Sequence, residues 1–388
     1  MIAAKIILSI IIYLFNALIA MILGNLTIQR YKETGSKERA LYFFGTFRLF
    51  HYIYYVVSMV AIIMLLTSFL PKTKLNYILI TILPFAYLML STILSQAIYH
   101  RVNRVVRDVG TSIRDELVAA IKSSVLMYLP ALIVLPFRFN WVKIELSGLW
   151  ACLLILIGIA AYNLAYPYLL RLSLSAKPLM DEGKKAEIER FLNKHEMKRV
   201  QVFEWPTSDS KVANAIVCGL IYKRVFIASY LLENLSADEM NAILAHEIGH
   251  IRRFHLWIKA VLFVAAIPLF LGLTSLMDQI EATGFHIPIP VGVVFILALL
   301  LSYLWFVSSY VSRKLERDAD EYVLKMGIPA GVIIAALTKL AELNHSVLSI
   351  HRFIEKLQTH PSFEHRIGWI RSAEQHRYRT EEERTIPK

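Results

Sequence analysis

Residues 244–250 read Leu244-Ala245-His246-Glu247-Ile248-Gly249-His250, and the rest of the chain is best understood outward from them. An H-E-x-x-H spacing has chemical meaning only on a helix, and the local sequence supplies one. Ser236 suits an N-cap and Glu239 stands three residues on, so this stretch predicts a capping box that starts a helix near Ala237. On that helix His246 and His250 lie one turn apart on one face. Two imidazoles at that separation can share one zinc ion, and Glu247, beside the first, can deprotonate a water. Ala242, Ile243, Ala245, Ile248 and Ile251 are apolar, which leaves the histidines as the polar stripe of a buried helix. Gly249, small and next to the second histidine, lets another element come close.

A catalytic zinc site takes three protein ligands and keeps one position open. The stretch Ser312-Arg313-Lys314-Leu315-Glu316-Arg317-Asp318-Ala319-Asp320 offers Glu316 as the third. Four residues on, Asp320 shares its helical face and could accept the free N–H of a ligating histidine. On its own such a charged stretch reads as a solvated helix face. Behind a zinc motif it reads as the missing ligand. His255 lies near Arg252 and Arg253 and is assigned to the membrane interface, so no fourth ligand is expected.

The chain of 388 residues is 56% hydrophobic, with a mean hydropathy of +0.52. That is too apolar for a soluble enzyme and predicts a polytopic membrane protein. Seven apolar runs, near 2–28, 43–70, 75–99, 117–137, 147–170, 257–277 and 288–311, are long enough to cross a bilayer as helices. The first is read as a retained span rather than a cleaved leader. A net charge of +12 could suggest nucleic acid, but no basic module interleaved with aromatics occurs, and the charge sits in loops between apolar runs. Of the two cysteines, Cys152 and Cys218, neither has metal-ligand spacing and no disulfide framework is expected.

Loop charges set the expected topology. Arg30, Lys32, Lys37, Arg39, Arg101, Arg104, Arg107, Arg114 and Lys122 fall on one side, against Lys72, Lys74, Arg138 and Lys143 on the other. Nine basic residues against four place the first side in the cytoplasm, together with both ligand segments, and the N-terminus outside. The expected organisation is five transmembrane helices with short loops over 1–170, a cytoplasmic catalytic loop over 171–256, a transmembrane hairpin over 257–311, a C-terminal helical region carrying the third ligand over 312–373, and a disordered charged tail over 374–388. Within the loop, residues 181–198 predict an amphipathic helix, and 200–205, 212–218 and 224–228 predict strands, the last two forming a hairpin. The helix with Glu316 is expected to end at Gly327, followed by helices over 330–343 and 346–357. Asn16, Asn25, His51, Gln96 and Asn163 are polar residues inside spans, available to line a cavity or to bond between helices.

Four ordered stretches resemble the integral-membrane zinc endopeptidases, a family that includes the type I CAAX prenyl proteases and the bacterial HtpX proteases. They are the HEIGH segment, the S-R-x-x-E-x-x-A-D from Ser312 to Asp320, Asn214-Ala215, and the T-H-P-S-x-x-x-R-I from Thr359 to Ile367. The layout of spans leans toward the CAAX branch, in which the spans surround a chamber closed by the catalytic domain. The resemblance implies a mainly α fold with about seven transmembrane helices and a zincin-like α+β catalytic domain on the cytoplasmic side, holding one zinc ion per chain. It places Asn214 on a strand that pairs with substrate, where it could bond the substrate or the oxyanion. It also places His360 at the active site as an oxyanion donor and pairs Arg366 with an acid such as Asp320. The expected activity is hydrolysis of peptide bonds in membrane proteins or membrane-associated peptides, in membrane-protein quality control. CAAX-type processing of prenylated peptides is one alternative, and a transporter or scaffold with a structural zinc is another. The expected setting is a bacterial cell membrane with the active site on the cytoplasmic face, the partners being the bilayer and a peptide or membrane-protein substrate.

Overall fold

The computed structural model describes residues 2–67, 73–138, 148–285 and 289–385. The chain divides into two compact units, one of Met1–Lys177 with Trp205–Lys211 and one of Pro178–Glu204 with Val212–Lys388. The hairpin of the last two apolar runs thus belongs to the same unit as the HEIGH segment.

The first unit is helical: α1 (Ile2–Thr34), α2 (Lys37–Thr67), α3 (Lys74–Val102), a π turn (Asn103–Arg107), α4 (Ile113–Arg138) and α5 (Gly148–Ser173). An apolar run in hydrocarbon satisfies its own backbone only as a helix, so each run folds as one. Ala20, Leu23 and Ile28 of α1 pack on Ala40 and Phe44 of α2 and on Tyr99 and Val102 of α3. Polar groups tie these helices together. Asn16 donates to Tyr87 and to Ser91, His51 bonds the Tyr99 hydroxyl at 2.6 Å, and Arg48 reaches Gln96 at 3.5 Å. Asn163 instead donates to Ile159 O of its own helix, and Asn25 is exposed. Ile6, Ile7, Ile10 and Leu14 face outward on α1, a surface suited to lipid rather than water.

Every one of the seven runs is helical wherever it is described. Among the described residues, three helices are long and apolar enough to cross a membrane: Ala3–Thr34, Lys37–Leu65 and His255–Ala282. Residues 68–70, 147 and 288 of the expected spans, the loop residues Lys72 and Lys143, and tail residues 386–388 lie outside the described residues.

In the second unit, Asp181 caps α6 (Glu182–Lys194) by accepting from Lys184 N at 3.0 Å. A four-stranded sheet has the order β1-β2-β4-β3, with β1 (Lys177–Pro178), β2 (Gln201–Trp205), β3 (Ala215–Cys218) and β4 (Arg224–Ala228). The hairpin pairs Ala215 with Ile227 and Val217 with Val225, which leaves β3 at the edge. Then come α7 (Ser229–Asn234), α8 (Ala237–Arg252), α9 (His255–Ala282) and α10 (Ile289–Ser302). A π turn (Tyr303–Val307) leads without a break into α11 (Ser308–Lys325), since its flanking residues keep right-handed helical angles. The chain closes with α12 (Ala330–Leu343), α13 (Arg352–Lys356) and α14 (Phe363–Thr385). Ala242 and Ala245 of α8 pack with Val323 of α11, Ile333, Ala336 and Leu337 of α12 and Ile370 of α14.

Two expectations fail here. The helix expected over 346–357 is only the short α13, because His345 turns left-handed (φ 49°) and Glu364 N donates to Leu348 O, holding the intervening segment out of helix. The tail expected to be disordered is helical to Thr385. From Arg371 to Thr385 it contains no glycine or proline, and helix propensity outweighs charge density there.

Candidate active site

Local sequence builds α8 as expected: the Ser236 side chain accepts from Glu239 N while the Glu239 carboxylate accepts from Ser236 N, a complete capping box. Leu244, Ala245, Ile248 and Ile251 are buried, and full burial of one such isoleucine contributes about 1.5–3 kcal/mol. The helix is thereby held with His246 and His250 facing α11. Gly249 makes the approach possible. A Cβ there would stand 3.3 Å from Ala319 Cα, so the two helices meet backbone to backbone.

Across that contact, Glu316 meets the two imidazoles. His246 Nε2 lies 3.1 Å from His250 Nε2 and 3.3 Å from Glu316 Oε2, and His250 Nε2 lies 3.4 Å from Glu316 Oε1. One ligand atom from each of the three residues falls within 4.8 Å of the other two. Glu316 is 1% exposed, yet its Oε2 has no well-aligned hydrogen bond. A buried carboxylate with no well-aligned bond at Oε2, that oxygen facing His246 Nε2 and Oε1 facing His250 Nε2, is a donor set that suits zinc.

Each imidazole is held from behind. His246 Nδ1 lies 2.9 Å from Asp320 Oδ1, and Asp320 takes a two-pronged bond from Arg366 at 2.9 and 2.6 Å. His250 Nδ1 meets His255 Nδ1 at 2.9 Å, His255 Nε2 meets Asp318 Oδ2 at 3.0 Å, and Asp318 is gripped by Arg253 at 2.9 and 2.6 Å. His255 is 1% exposed. It heads α9, one of the helices able to span a bilayer, and left-handed Phe254 turns its ring onto His250, which makes it part of this cluster. Its partner Asp318 lies 63 residues away, so local sequence gave no sign of the bond.

Three further contacts shape the surroundings. Glu247 Oε2 accepts from Val217 N on β3 at 3.1 Å. Since Asn214 O accepts from Ala228 N of β4, strand alternation turns Ala215 and Val217 toward the free edge. Asn344 clamps Ala213 just before this strand, accepting from its N at 3.2 Å and donating to its O at 2.7 Å. His360 Nδ1 stands 3.1 Å from Glu316 Oε2 with its side chain largely exposed. Its segment is pinned by α11 itself, where Arg313 donates to Lys356 O and Gln358 O at 2.8 and 2.9 Å, and by Trp305, which donates to Leu357 O at 2.7 Å. The structure therefore brings His246, Glu247, His250, Glu316, Asp320, His360 and Arg366 together. Asn214 stands apart on the exposed edge, its Oδ1 accepting from Ala215 N.

Burial and neighbouring charge set the proton balance. Burial raises the Glu247 carboxyl to about 7, with Glu316 adding to the rise against the pull of His246. Burial, with His246 behind it, drives His250 down to about 2. Burial also disfavours charge on His246, but hydrogen bonds to Asp320 and Glu316 override it and raise that imidazole to about 9. Asp320 is held at about 2 by Arg366 despite its burial, and although burial also pushes Glu316 up, His246 and His360 hold it well below the usual carboxylate range. Burial thus disfavours a charged His250, and the Glu316 carboxylate beside it is held as an anion. The cluster calls for a cation.

Residues 178–374 match the model of peptidase family M48. The chain belongs to family M48. A second model, BlaR1 peptidase M56, matches residues 49–271 and ends before Glu316. Among curated relatives, Protease HtpX of Vibrio cholerae serotype O1 (strain M66-2) is 27% identical over 166 residues, 38% of this chain and 58% of that protein. CAAX prenyl protease 1 of Saccharomyces cerevisiae is 26% identical over 219 residues, 49% of this chain and 48% of that protein. This M48 chain thus spans about half the length of the curated relatives it matches. The crystal structure of S. mikatae Ste24p superposes with a TM-score of 0.64 at 20% identity, covering 94% of this chain and 98% of that one. It shows the fold of this M48 member to be Ste24p-like. With three helices able to span a bilayer, the M48 chain is a membrane protein.

Proposed function

We propose that this M48 member is a membrane-embedded zinc metalloendopeptidase acting on membrane proteins or membrane-associated peptides, with its active site on the cytoplasmic face. The observation that carries this reading is the convergence of His246, His250 and Glu316 on one point, with Glu247 adjacent on the same helix. One zinc ion per chain held there would supply Lewis-acid polarisation of the scissile carbonyl and acidify a water. Glu247, raised to about 7, is poised to take the proton of the attacking water and pass it to the leaving amine. The outward carbonyl of Ala215 suits an extended substrate backbone added to the sheet edge, while its amide is held by Asn214 Oδ1. His360, exposed beside Glu316, is the nearer donor for the developing oxyanion, and Asn214 is a second donor at the edge strand. Asp320 with Arg366 orients His246. Among the described residues three ligands rather than four come together, which favours catalysis over a structural zinc, and the asymmetry of loop charge supports the cytoplasmic side.

The substrate reading is quality control of membrane proteins, because the helices able to enter a bilayer far exceed what anchoring a soluble protease requires. Prenylated CAAX-type peptides are the second substrate class, favoured by the relative named CAAX prenyl protease 1 and by the superposition on Ste24p over 94% of the chain. The test is to incubate purified protein, with and without a chelator, with a loosely folded membrane protein and with a farnesylated CAAX peptide. Zinc-dependent cleavage of either is expected, and the one cut decides the class. Cleavage that persists in the chelator would sink the zinc assignment. Glu247→Gln is expected to keep zinc and lose about 10²-fold or more in rate; full activity in that variant would refute the assigned base.

A further inference from the structure

We infer that His255 is a positioning residue that fixes the ring tautomer of His250, and with it the second metal ligand. The inference rests on the zinc-site reading above. In a continuous helix, residues 250 and 255 would project about 140° apart, and their rings could not meet. The backbone makes the meeting possible. Arg253 ends α8, Phe254 takes the left-handed conformation (φ 58°, ψ 24°), and α9 starts at His255. A non-glycine residue in that conformation is disfavoured, yet the reversal turns the His255 ring onto His250, with centroids 5.0 Å apart and Nδ1 atoms 2.9 Å apart.

The contact admits one assignment of hydrogens. To offer its Nε2 lone pair to a metal, His250 must carry its proton on Nδ1. His255 Nδ1 must then accept, which leaves the His255 proton on Nε2, aimed at Asp318 Oδ2 3.0 Å away. The chain of donors runs one way, from His250 Nδ1–H to His255 and from His255 Nε2–H to Asp318, and Arg253 anchors the carboxylate. Metal-ligating histidines usually bond a carboxylate or carbonyl with the second nitrogen. Here an imidazole is interposed, and Asp318 acts through it. The paired relay behind His246 has no such intermediary, since Asp320 bonds His246 directly. The two ligands are thus held by separate Asp–Arg pairs, whose acids lie on α11 two residues apart and flank Ala319, where the helices touch.

The test compares two variants of the full chain by zinc competition titration and by the visible spectrum of the cobalt-substituted protein, with thermal unfolding to verify the fold. His255→Phe keeps ring volume but cannot accept, and is expected to weaken zinc binding about 10–100-fold and alter the cobalt spectrum. His255→Gln presents an acceptor and a donor in the same order, and is expected to stay within a few-fold of the unaltered protein. Unaltered zinc affinity in His255→Phe would overturn the inference. So would equal losses in both variants while both melt cooperatively, because burial rather than polarity would then be at work. Failure of the unaltered protein to bind zinc would overturn the site reading as well, which separates the two failures.

Discussion

Replacing Gly249 by alanine tests whether the backbone contact between α8 and α11 sets the metal geometry. The new Cβ would stand 3.3 Å from Ala319 Cα and Tyr322 Cδ1 and 3.4 Å from Ala319 O. Comfortable carbon contacts begin near 3.5–4.0 Å. The Tyr322 ring can rotate away, but the Ala319 atoms are helix backbone, so α11 must retreat by a few tenths of an ångström. Glu316 lies on the preceding turn of α11 and moves with it. Gly→Ala inside a helix gains about 0.5–1 kcal/mol from backbone entropy, while overpacking costs about 1–3 kcal/mol, so a net destabilisation of up to about 2.5 kcal/mol is expected. Zinc sites tolerate ligand displacements of only about 0.2 Å, and zinc affinity should fall about 10-fold or more. Gly368→Ala is the control: it is exposed on α14, with nothing within 4 Å of its added Cβ, and should stabilise by about 0.5–1 kcal/mol without touching zinc. Thermal melts and a zinc competition titration read both quantities. A Gly249→Ala protein that melts above the parent and binds zinc equally well would refute the packing account.

Asp320→Ala leaves the buried Arg366 guanidinium without its acid and should cost about 3–5 kcal/mol in denaturant unfolding; a loss under about 1 kcal/mol would show that the pair is not buried as described. Glu355 accepts from Ser362 N and from His365 Nδ1, both at 2.7 Å, and these bonds hold it below its ordinary 4.5 against its burial. Its contribution is therefore complete above about pH 5 and is lost as pH falls through the depressed folded value, since the unfolded state then binds the proton more readily. The stability gap between the parent and Glu355→Gln should shrink as pH falls below about 4, and a gap unchanged between about pH 5 and pH 3 would contradict this. Burial pushes the Cys218 thiol up to about 12, outweighing nearby Arg224. Maleimide at pH 8 should leave Cys218 unmodified in the folded protein and modify it after denaturation, as read by peptide mass.

What the sequence made legible was local or carried by a strong pattern. The capping box at Ser236, the HEIGH spacing and the apolar runs each lie within one element, so periodicity and caps reveal them. Glu316 was found across 66 residues only because a zinc motif creates demand for a third ligand. The contacts that escaped reading join distant positions through groups without a signature: Asn344 to the Ala213 backbone, 131 residues apart, and Arg313 to the carbonyls before His360. His255, read from basic Arg252 and Arg253 as an interface residue, does head a span-length helix, but its bond to His250 was not legible there. The left-handed residue at Phe254 that redirects it is unannounced, since phenylalanine is no marker for that conformation. The sheet suffered less, with β4 matching its expected limits and β3 shorter than expected.

The ligand segments adjoin the two legs of a hairpin. His250 precedes α9 by a single turn of chain, and Glu316 follows α10 through a π turn that keeps the rod continuous. A metal held by both segments would tie the feet of these two legs together, so that a tilt of one leg would be felt by the ligand attached to the other.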